Sequence, residues 1–245
     1  MAASDIETEQ RLKIEVYNHS RWEFRRRILR FLIRYIGFNI LVKLDRVEGL
    51  ENVPASGPGI LMINHIAFVD PIVVLHIVPR NIVPMAKIEV YNYPVVGIFP
   101  RIWNVIPVRR AEVDRRAVRQ ALDVLKAGEL ILMAPEGTRG DSLKEAKGGI
   151  AYIASRGNAP VIPVAIENTI GFPTTPLSPR WKGPGAQVRF GRPFRFKETI
   201  KRPDREELRL MTDEAMYVMA SLLPEHRRGV YADLSRGTMT TIEWL

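Results

Sequence analysis

The sequence predicts an α/β fold, with a mixed, largely parallel sheet flanked by helices and an N-terminal amphipathic helical extension. The chain has 245 residues and 46% of them are apolar, which is enough for one domain with a sizeable core. Short apolar runs typical of buried strands alternate with longer stretches of helical periodicity. Arginine and aromatic side chains dominate the first helical stretch. We therefore divide the chain into a helical segment at 1–45 and an α/β domain at 46–245.

The N-terminal helix is predicted within residues 21–44. Arg26, Arg30 and Arg34 recur at every fourth position, which is typical of an amphipathic helix. Apolar side chains fall on another side, at Leu29, Leu32, Ile33, Ile36 and Ile40. The charges interrupt this run before it reaches the roughly 20 residues that a spanning helix needs. The pattern favours a helix that lies in a membrane interface, with arginines at lipid phosphates. A helix packed on its own domain, with a solvated basic face, is the alternative.

The first part of the α/β domain begins with a buried strand over 59–64, "GILMIN". A helix follows, with Asp70 predicted as its N-cap and Pro71 at its first helical position. The next strand region is 81–90, where Pro84 favours an edge or an irregular position.

The remaining elements continue the alternation of strands and helices. Further strands are predicted over 105–110, 129–135, 159–166 and 187–196, and further helices over 111–129, 148–157 and 203–224. Such alternation is typical of a largely parallel sheet.

Charge and cysteine content limit the possible functions. The net charge of +9 indicates an anionic partner, which can be a nucleic acid, a membrane surface or a phosphorylated substrate. The absence of cysteine excludes disulfides, thiolate metal sites and a cysteine nucleophile, and it fits a cytoplasmic chain. The polar, acidic opening "MAASDIETEQ" does not have the pattern of a secretory signal.

Polar clusters follow several of the predicted strands, and the first contains His65 and Asp70. On one continuous helix these two residues would lie about 140° apart, so they can touch only across a turn. An aspartate that accepts one imidazole N–H fixes the tautomer and leaves the other nitrogen as a general base. The alternative is a helix-capping aspartate beside an ordinary loop histidine.

The second and third clusters contain arginines suited to phosphate binding. "PEGTR" at 135–139 combines a flexible glycine, a hydroxyl and a guanidinium, and Arg109, Arg110 and Lys147 supply further charge. Because ligands of open α/β sheets bind at the carboxyl ends of strands, we expect these clusters to meet in one cleft. Each charge taken alone also fits an ordinary solvated surface.

Other kinds of site lack support in the sequence. No G-x-S-x-G elbow occurs, so the attacking hydroxyl is expected to belong to the substrate. His19, His76 and His226 are far apart and no H-E-x-x-H occurs, so we expect no metal. There is no Walker A loop and no G-x-G-x-x-G.

Together the clusters resemble the glycerolipid acyltransferase family, in particular its 1-acylglycerol-3-phosphate O-acyltransferases. The first family block, N-H-x-S-x-x-D, is matched at Asn64, His65 and Asp70, with Ala67 in place of the serine. The other three blocks are matched by "VIPVRR" ending at Arg110, by the complete "PEGTR", and by "VIPVAI" with Pro163. The resemblance covers about 200 residues and makes 46–245 an acyltransferase domain.

The resemblance implies transfer of a fatty acyl group from acyl-CoA or acyl carrier protein to the free hydroxyl of 1-acylglycerol 3-phosphate. His65 would be the general base and Asp70 its partner. The implied substrate-binding residues are Arg110, Glu136, Gly137, Thr138, Arg139 and Lys87. Glu136 would orient an arginine or a glycerol hydroxyl, and Lys87 is a candidate donor to the oxyanion. No cofactor and no metal are implied.

The resemblance also implies a lysophospholipid acceptor and a peripheral or monotopic position on the cytoplasmic face of a membrane, without nucleic acid. Two alternatives stay open. One is the same family with another acceptor, such as glycerol 3-phosphate or another lysophospholipid. The other is a non-enzymatic basic protein that binds membrane surfaces or nucleic acid.

Overall fold

The computed structural model describes residues 19–37, 40–94, 96–109, 114–198 and 203–245. Its α-helices are α1 His19–Leu32, α2 Asp70–Ile77, α3 Ile98–Trp103, α4 Arg115–Lys126, α5 Gly149–Gly157 and α6 Arg205–Leu222. Its strands are β1 Leu44–Glu48, β2 Gly59–Ile63, β3 Ile82–Lys87, β4 Ile106–Val108, β5 Leu130–Met133, β6 Val161–Glu167, β7 Ala186–Phe190, β8 Phe194–Phe196 and β9 Ile242–Trp244. A π-helical turn, Ile33–Gly37, continues α1.

The described strands form one nine-stranded sheet with the order β1-β7-β6-β2-β5-β3-β4. Strands β6, β2, β5, β3 and β4 are mutually parallel, whereas β7 runs antiparallel to β6. β8 pairs antiparallel with both β6 and β9. The predicted α/β fold with a mixed, largely parallel sheet is therefore confirmed.

The core has one layer on each face of the sheet, because successive side chains of a strand point to opposite faces. In β2, Ile60 and Met62 face the layer that contains α4, α5 and α6, while Leu61 and Ile63 face the layer that contains α2 and α3. All four side chains are almost completely buried. This two-sided burial explains why the central strands are continuous apolar runs.

Two strand predictions need correction. Pro84 lies inside the sheet and not at its edge, since β3 pairs with β5 up to Pro84 and with β4 from Met85 onward. Proline has no N–H to donate, so it fits the position where the strand changes partner. The strand predicted over 187–196 is two strands, β7 and β8, separated by 191–193.

The basic side of α1 also differs from the prediction. Arg26 is fully buried, and it donates from Nε to the Trp103 carbonyl at 2.8 Å and from Nη2 to the Asn104 carbonyl at 3.2 Å. Leu29 and Ile33 pack against the core on the same side. Arg26 therefore anchors α1 to the C-terminal end of α3 and cannot meet lipid phosphates.

Apolar side chains nevertheless cover the outer side of α1. Four of them are exposed and share one side at helical spacing: Phe24, Ile28, Phe31 and Leu32. We call this set the apolar face of α1. Within the described residues, no helix is long and apolar enough to cross a membrane.

Candidate active site

The candidate site lies at the carboxyl ends of the parallel strands. His65 follows β2, Lys87 ends β3, Arg109 follows β4, the 135–139 loop follows β5 and Thr169 follows β6. The parallel pairing of these strands brings all five positions to one edge of the sheet. This edge is where the sequence predicted a common cleft.

His65 and Asp70 are in direct contact. The imidazole Nδ1 lies 2.9 Å from Asp70 Oδ2, across the turn between β2 and α2. The His65 side chain is 19% exposed and that of Asp70 is completely buried. The contact makes Nδ1 the protonated nitrogen, because an ionised carboxylate only accepts hydrogen bonds. Nε2 is then left with its lone pair, as a general base requires.

The Asp70 carboxylate does not cap α2, contrary to the sequence prediction. Val69 is the N-cap residue, and its carbonyl accepts the N–H of Val73 at 3.0 Å. Asp70 Oδ2 instead turns back and accepts the N–H groups of Ile66 and Ala67, each at 2.7 Å. The carboxylate therefore holds the turn that carries His65.

Thr169 is a residue that the sequence reasoning missed. Its side chain is fully buried, and its hydroxyl donates to Asp70 Oδ1 at 2.5 Å. It directly follows the polar residues Glu167 and Asn168 at the end of β6. A polar cluster after a fourth parallel strand was a signal of the same kind as the other three.

Asn64 joins the two strands that carry His65 and Thr169. Its Nδ2 donates to the Ile166 carbonyl at 2.9 Å, and its Oδ1 accepts the Ile166 N–H at 2.7 Å. These bonds extend the β2–β6 pairing by one step through a buried side chain. Asn64 therefore fixes the spacing between His65 and Thr169.

Glu136 contacts backbone groups. It is 6% exposed, and its Oε2 accepts the N–H of Lys144 at 2.9 Å. Burial raises the pKa of Glu136 above its ordinary value, although hydrogen bonds from the backbone N–H groups of Lys144 and His65 oppose this shift. The described contacts thus tie the 135–139 loop to the His65 backbone, and the expected role toward substrate stays a prediction.

The end of the "PEGTR" loop faces outward. Gly137 has a φ of 66°, a left-handed conformation that glycine adopts without strain, and Thr138 and Arg139 are exposed. The next residue, Gly140, donates its N–H to the His65 carbonyl at 2.9 Å. Arg139 is therefore adjacent to a residue in contact with His65.

The structure describes few contacts for the other cationic side chains that the sequence predicted at the site. Arg110 lies outside the described residues. The Arg109 backbone N–H donates to Asp114 Oδ2 at 3.0 Å. Lys87 Nζ lies 5.5 Å from the centre of the Tyr93 ring, within the range of a cation–π contact. Arg109 and Lys87 share the sheet edge with His65, and their binding roles stay predictions.

Metal binding has no support in the described part of the chain, where no three His, Cys, Asp or Glu side chains are grouped to hold an ion. His76 lies on α2, where burial lowers its pKa.

Comparisons with known proteins agree on a family. A family model described as Acyltransferase matches residues 45–167. A 1-acyl-sn-glycerol-3-phosphate acyltransferase of Bacillus subtilis is 28% identical over 169 residues, which cover 69% of this chain and 82% of that protein. The protein of the same name from Borreliella burgdorferi is 34% identical over 131 residues, and the match spans only 52% of its length.

A solved structure has the same fold. The crystal structure of the 1-acyl-sn-glycerophosphate acyltransferase PlsC from Thermotoga maritima matches with a TM-score of 0.57 and 26% identity. The match covers 80% of this chain and 79% of that one.

Proposed function

The chain belongs to the acyltransferase family, and we propose that it transfers a fatty acyl group from an acyl thioester to the free hydroxyl of 1-acylglycerol 3-phosphate, giving phosphatidic acid. The observation that carries the proposal is the 2.9 Å contact between His65 Nδ1 and the buried Asp70 carboxylate. The names of the similar proteins supply the acceptor.

The first chemical step is removal of the acceptor's proton. His65 Nε2 takes the proton of the hydroxyl as its oxygen attacks the thioester carbonyl carbon. The imidazolium that forms is stabilised by Asp70, whose carboxylate is already oriented by Ile66, Ala67 and Thr169. A general base in position typically contributes about 10² to 10⁴ in rate.

The second step is collapse of the tetrahedral intermediate. The carbonyl oxygen recovers its double bond, the carbon–sulfur bond breaks, and the thiolate receives the proton held by His65. The oxyanion of the intermediate needs hydrogen-bond donors. Backbone N–H groups and Lys87, at the end of β3, are the candidates.

The phosphate of the acceptor is assigned to the cationic residues of the same edge. Arg139 is exposed and suited to bidentate phosphate binding, and Gly137 lets the backbone approach an anion. Thr138 and Arg110 complete the proposed set. We propose no cofactor and no metal for the reaction.

Peripheral attachment to the cytoplasmic face of a membrane completes the proposal. The acceptor and the product are lipids, and the apolar face of α1 gives the protein a surface that can enter a bilayer interface. Attachment there would bring the site to its lipid substrate.

The test is the variant His65→Ala, with His226→Ala as the matched control. His226 is exposed, and no described contact joins it to the site. Labelled acyl-CoA and acyl carrier protein are each supplied with 1-acylglycerol 3-phosphate, glycerol 3-phosphate or another lysophospholipid. We expect His65→Ala to lose transfer and His226→Ala to keep it.

Two outcomes contradict the proposal. Transfer that persists in a purified, folded His65→Ala protein overturns the general base. A preference of the unsubstituted chain for an acceptor other than 1-acylglycerol 3-phosphate overturns the proposed substrate and leaves the base intact.

A further inference from the structure

A cavity of about 660 Å³ lies outside the proposed site, since neither His65 nor any other proposed site residue lines it. It lies between residues 145–148 just before α5, the part of α6 that ends at Tyr217, and residues 230–236, and its volume is in the range of small-molecule sites. Leu208, Tyr217 and Tyr231 give it an apolar inner wall. Its charged lining consists of Arg205, Arg209, Arg236, Glu145 and Asp213.

The lining of this cavity carries a positive net charge, because three arginines stand against the two carboxylates Glu145 and Asp213. Arg209 and Asp213 offset each other, because their side chains are 4.0 Å apart. Arg205 and Arg236 approach the cavity from separate elements and make no ion pair within the described part of the chain. Hydrogen bonds from Ser235, and to a lesser extent the charge of Arg236, lower the pKa of Asp233. Arg205 is also the first residue of α6, where the helix dipole disfavours a cation. Helix stability therefore gives no reason for an arginine there.

The hydroxyl of Tyr231 adds a neutral donor to the inner wall. Burial raises its pKa to about 12, so it keeps its proton at neutral pH. It donates to Asp213 Oδ1 at 3.4 Å and accepts the N–H of Ala146 at the same distance. These bonds hold the 145–148 segment against α6.

One short segment separates the cavity from His65. Ser142 and Leu143 line the small space beside His65, whereas Glu145 and Ala146 line the cavity. Leu143 and Ala146 are three residues apart, so at most about 11 Å of extended chain separates them. The cavity is therefore close enough to His65 for an elongated substrate to reach both.

The cavity and α1 lie on opposite faces of the sheet. It is bordered by α5 and α6, which cover one layer of the core, whereas α1 packs on the other layer. A protein attached to a bilayer through α1 would keep this cavity accessible to water. The cavity is therefore suited to a soluble substrate.

We propose that this cavity binds the phosphate groups of coenzyme A when the acyl donor is an acyl-CoA. The inference rests on the proposed acyltransferase function. Coenzyme A is soluble and elongated, and it carries a diphosphate and a ribose phosphate at the end remote from its sulfur. Arg205 and Arg236 supply guanidinium groups for these phosphates. A carrier protein would need a broad complementary surface in place of a concave pocket.

The test is the double variant Arg205→Ala/Arg236→Ala. Its matched control is Arg119→Ala/Arg156→Ala, which removes the same charge from exposed positions on α4 and α5 outside the cavity. We expect the KM for acyl-CoA to rise about tenfold or more in the double variant, because charge-assisted bonds to phosphate are lost. The KM for the lipid acceptor and the kcat at saturating acyl-CoA should stay unchanged, as should both KM values of the control.

Two further measurements separate phosphate binding from a general defect. Adenosine 3′,5′-bisphosphate should compete with acyl-CoA in the unsubstituted protein and lose this effect in the double variant. Acyl-pantetheine carries no phosphate, so its KM should be the same in both proteins. Far-ultraviolet circular dichroism checks that the variants are folded.

The proposal is overturned if the double variant uses acyl-CoA with an unchanged KM, or if the control is impaired equally. It is also overturned if only transfer from acyl carrier protein is affected. A different result contradicts the proposed function itself: the unsubstituted chain transfers no acyl group from any of the donors.

Discussion

At the scale of single residues, the candidate site depends on how completely the Asp70 carboxylate is surrounded. His65, Ile66 and Ala67 contact Oδ2 from the preceding turn, and Thr169 contacts Oδ1 from the end of β6. A carboxylate held on both oxygens cannot rotate away from the imidazole. The orientation of His65 is therefore determined by two loops that are distant in sequence.

The role of Thr169 can be tested by Thr169→Val, which removes the donor and keeps the shape. We expect kcat to fall about tenfold with little change in KM, because a buried hydrogen bond to a charged group is lost beside His65, the proposed general base. Steady-state kinetics measure both constants. Thr169→Ser should restore kcat, and Thr175→Val, an exposed change in the same loop, should leave it unaltered. A rise in KM alone would contradict a positioning role.

Glu136 predicts a pH dependence of stability. Because burial raises its pKa in the folded protein above the ordinary value of 4.5, the folded state holds the proton more tightly than the unfolded state. Its contribution to the free energy of unfolding is therefore lost as pH rises from about 4.5 through the raised pKa. Relative to the unsubstituted protein, Glu136→Gln should therefore have a lower free energy of unfolding at pH 4 than it has at pH 7. Urea unfolding at both pH values measures this, and an unchanged difference would contradict it.

At the scale of elements, Arg26 links α1 to the domain. Its guanidinium bonds two carbonyls at the C-terminal end of α3, where unpaired carbonyls and the negative end of the dipole favour a cation. Arg30, one turn later, pairs with Glu23 at 3.2 Å and is partly exposed. The two arginines look equivalent in the sequence but have different surroundings.

Because their surroundings differ, replacing Arg26 or Arg30 by methionine should lower the free energy of unfolding by different amounts. Arg26→Met should lower the free energy of unfolding by about 2 to 3 kcal/mol, because buried charge-assisted bonds are lost. Arg30→Met should cost less than Arg26→Met, because the Arg30–Glu23 pair keeps some exposure to solvent whereas Arg26 is fully buried. Urea denaturation measures both. Equal losses would show that Arg26 does not anchor α1 as described.

The elements that sequence predicted well are those whose burial is uniform. β2 and β5 are buried along their whole length, and α4, Arg115–Lys126, lies within the helix predicted over 111–129. β1 was missed because its residues are largely exposed and its pairing comes from β7, which lies far away in sequence.

The contacts of the site could be predicted only in part. The position of His65 and Asp70 at a strand end and a helix start followed from local pattern. The direction of the Asp70 carboxylate did not, because it depends on Thr169, which is 99 residues away. The burial of Arg26 was equally hidden, since its partners lie 77 and 78 residues away.

At the scale of the whole molecule, the two sheet faces present different surfaces. On one side, the apolar face of α1 is exposed, and Ile98 and Ile102 of α3 are exposed as well. On the other side, α5 and α6 border a cavity with arginines. The edge of the sheet that carries the proposed site lies between these faces. A lipid acceptor and a soluble donor would thus approach His65 from different sides.

Membrane attachment through α1 predicts the effect of Phe24→Glu/Phe31→Glu. These side chains are 70% and 56% exposed, so the change should leave the fold intact. Burying each phenylalanine in a bilayer interface is worth about 1.5 to 3 kcal/mol, so the loss of both should weaken binding to vesicles at least about tenfold. Co-sedimentation with phosphatidylcholine vesicles containing phosphatidylglycerol measures this binding.

The control is Leu210→Glu/Tyr152→Glu, which changes exposed apolar residues on α6 and α5. Equal loss in the control would indicate that added negative charge, and not the apolar face, reduces binding. Transfer to a water-soluble short-chain acceptor should remain normal in both variants, because α1 carries no residue of the proposed site.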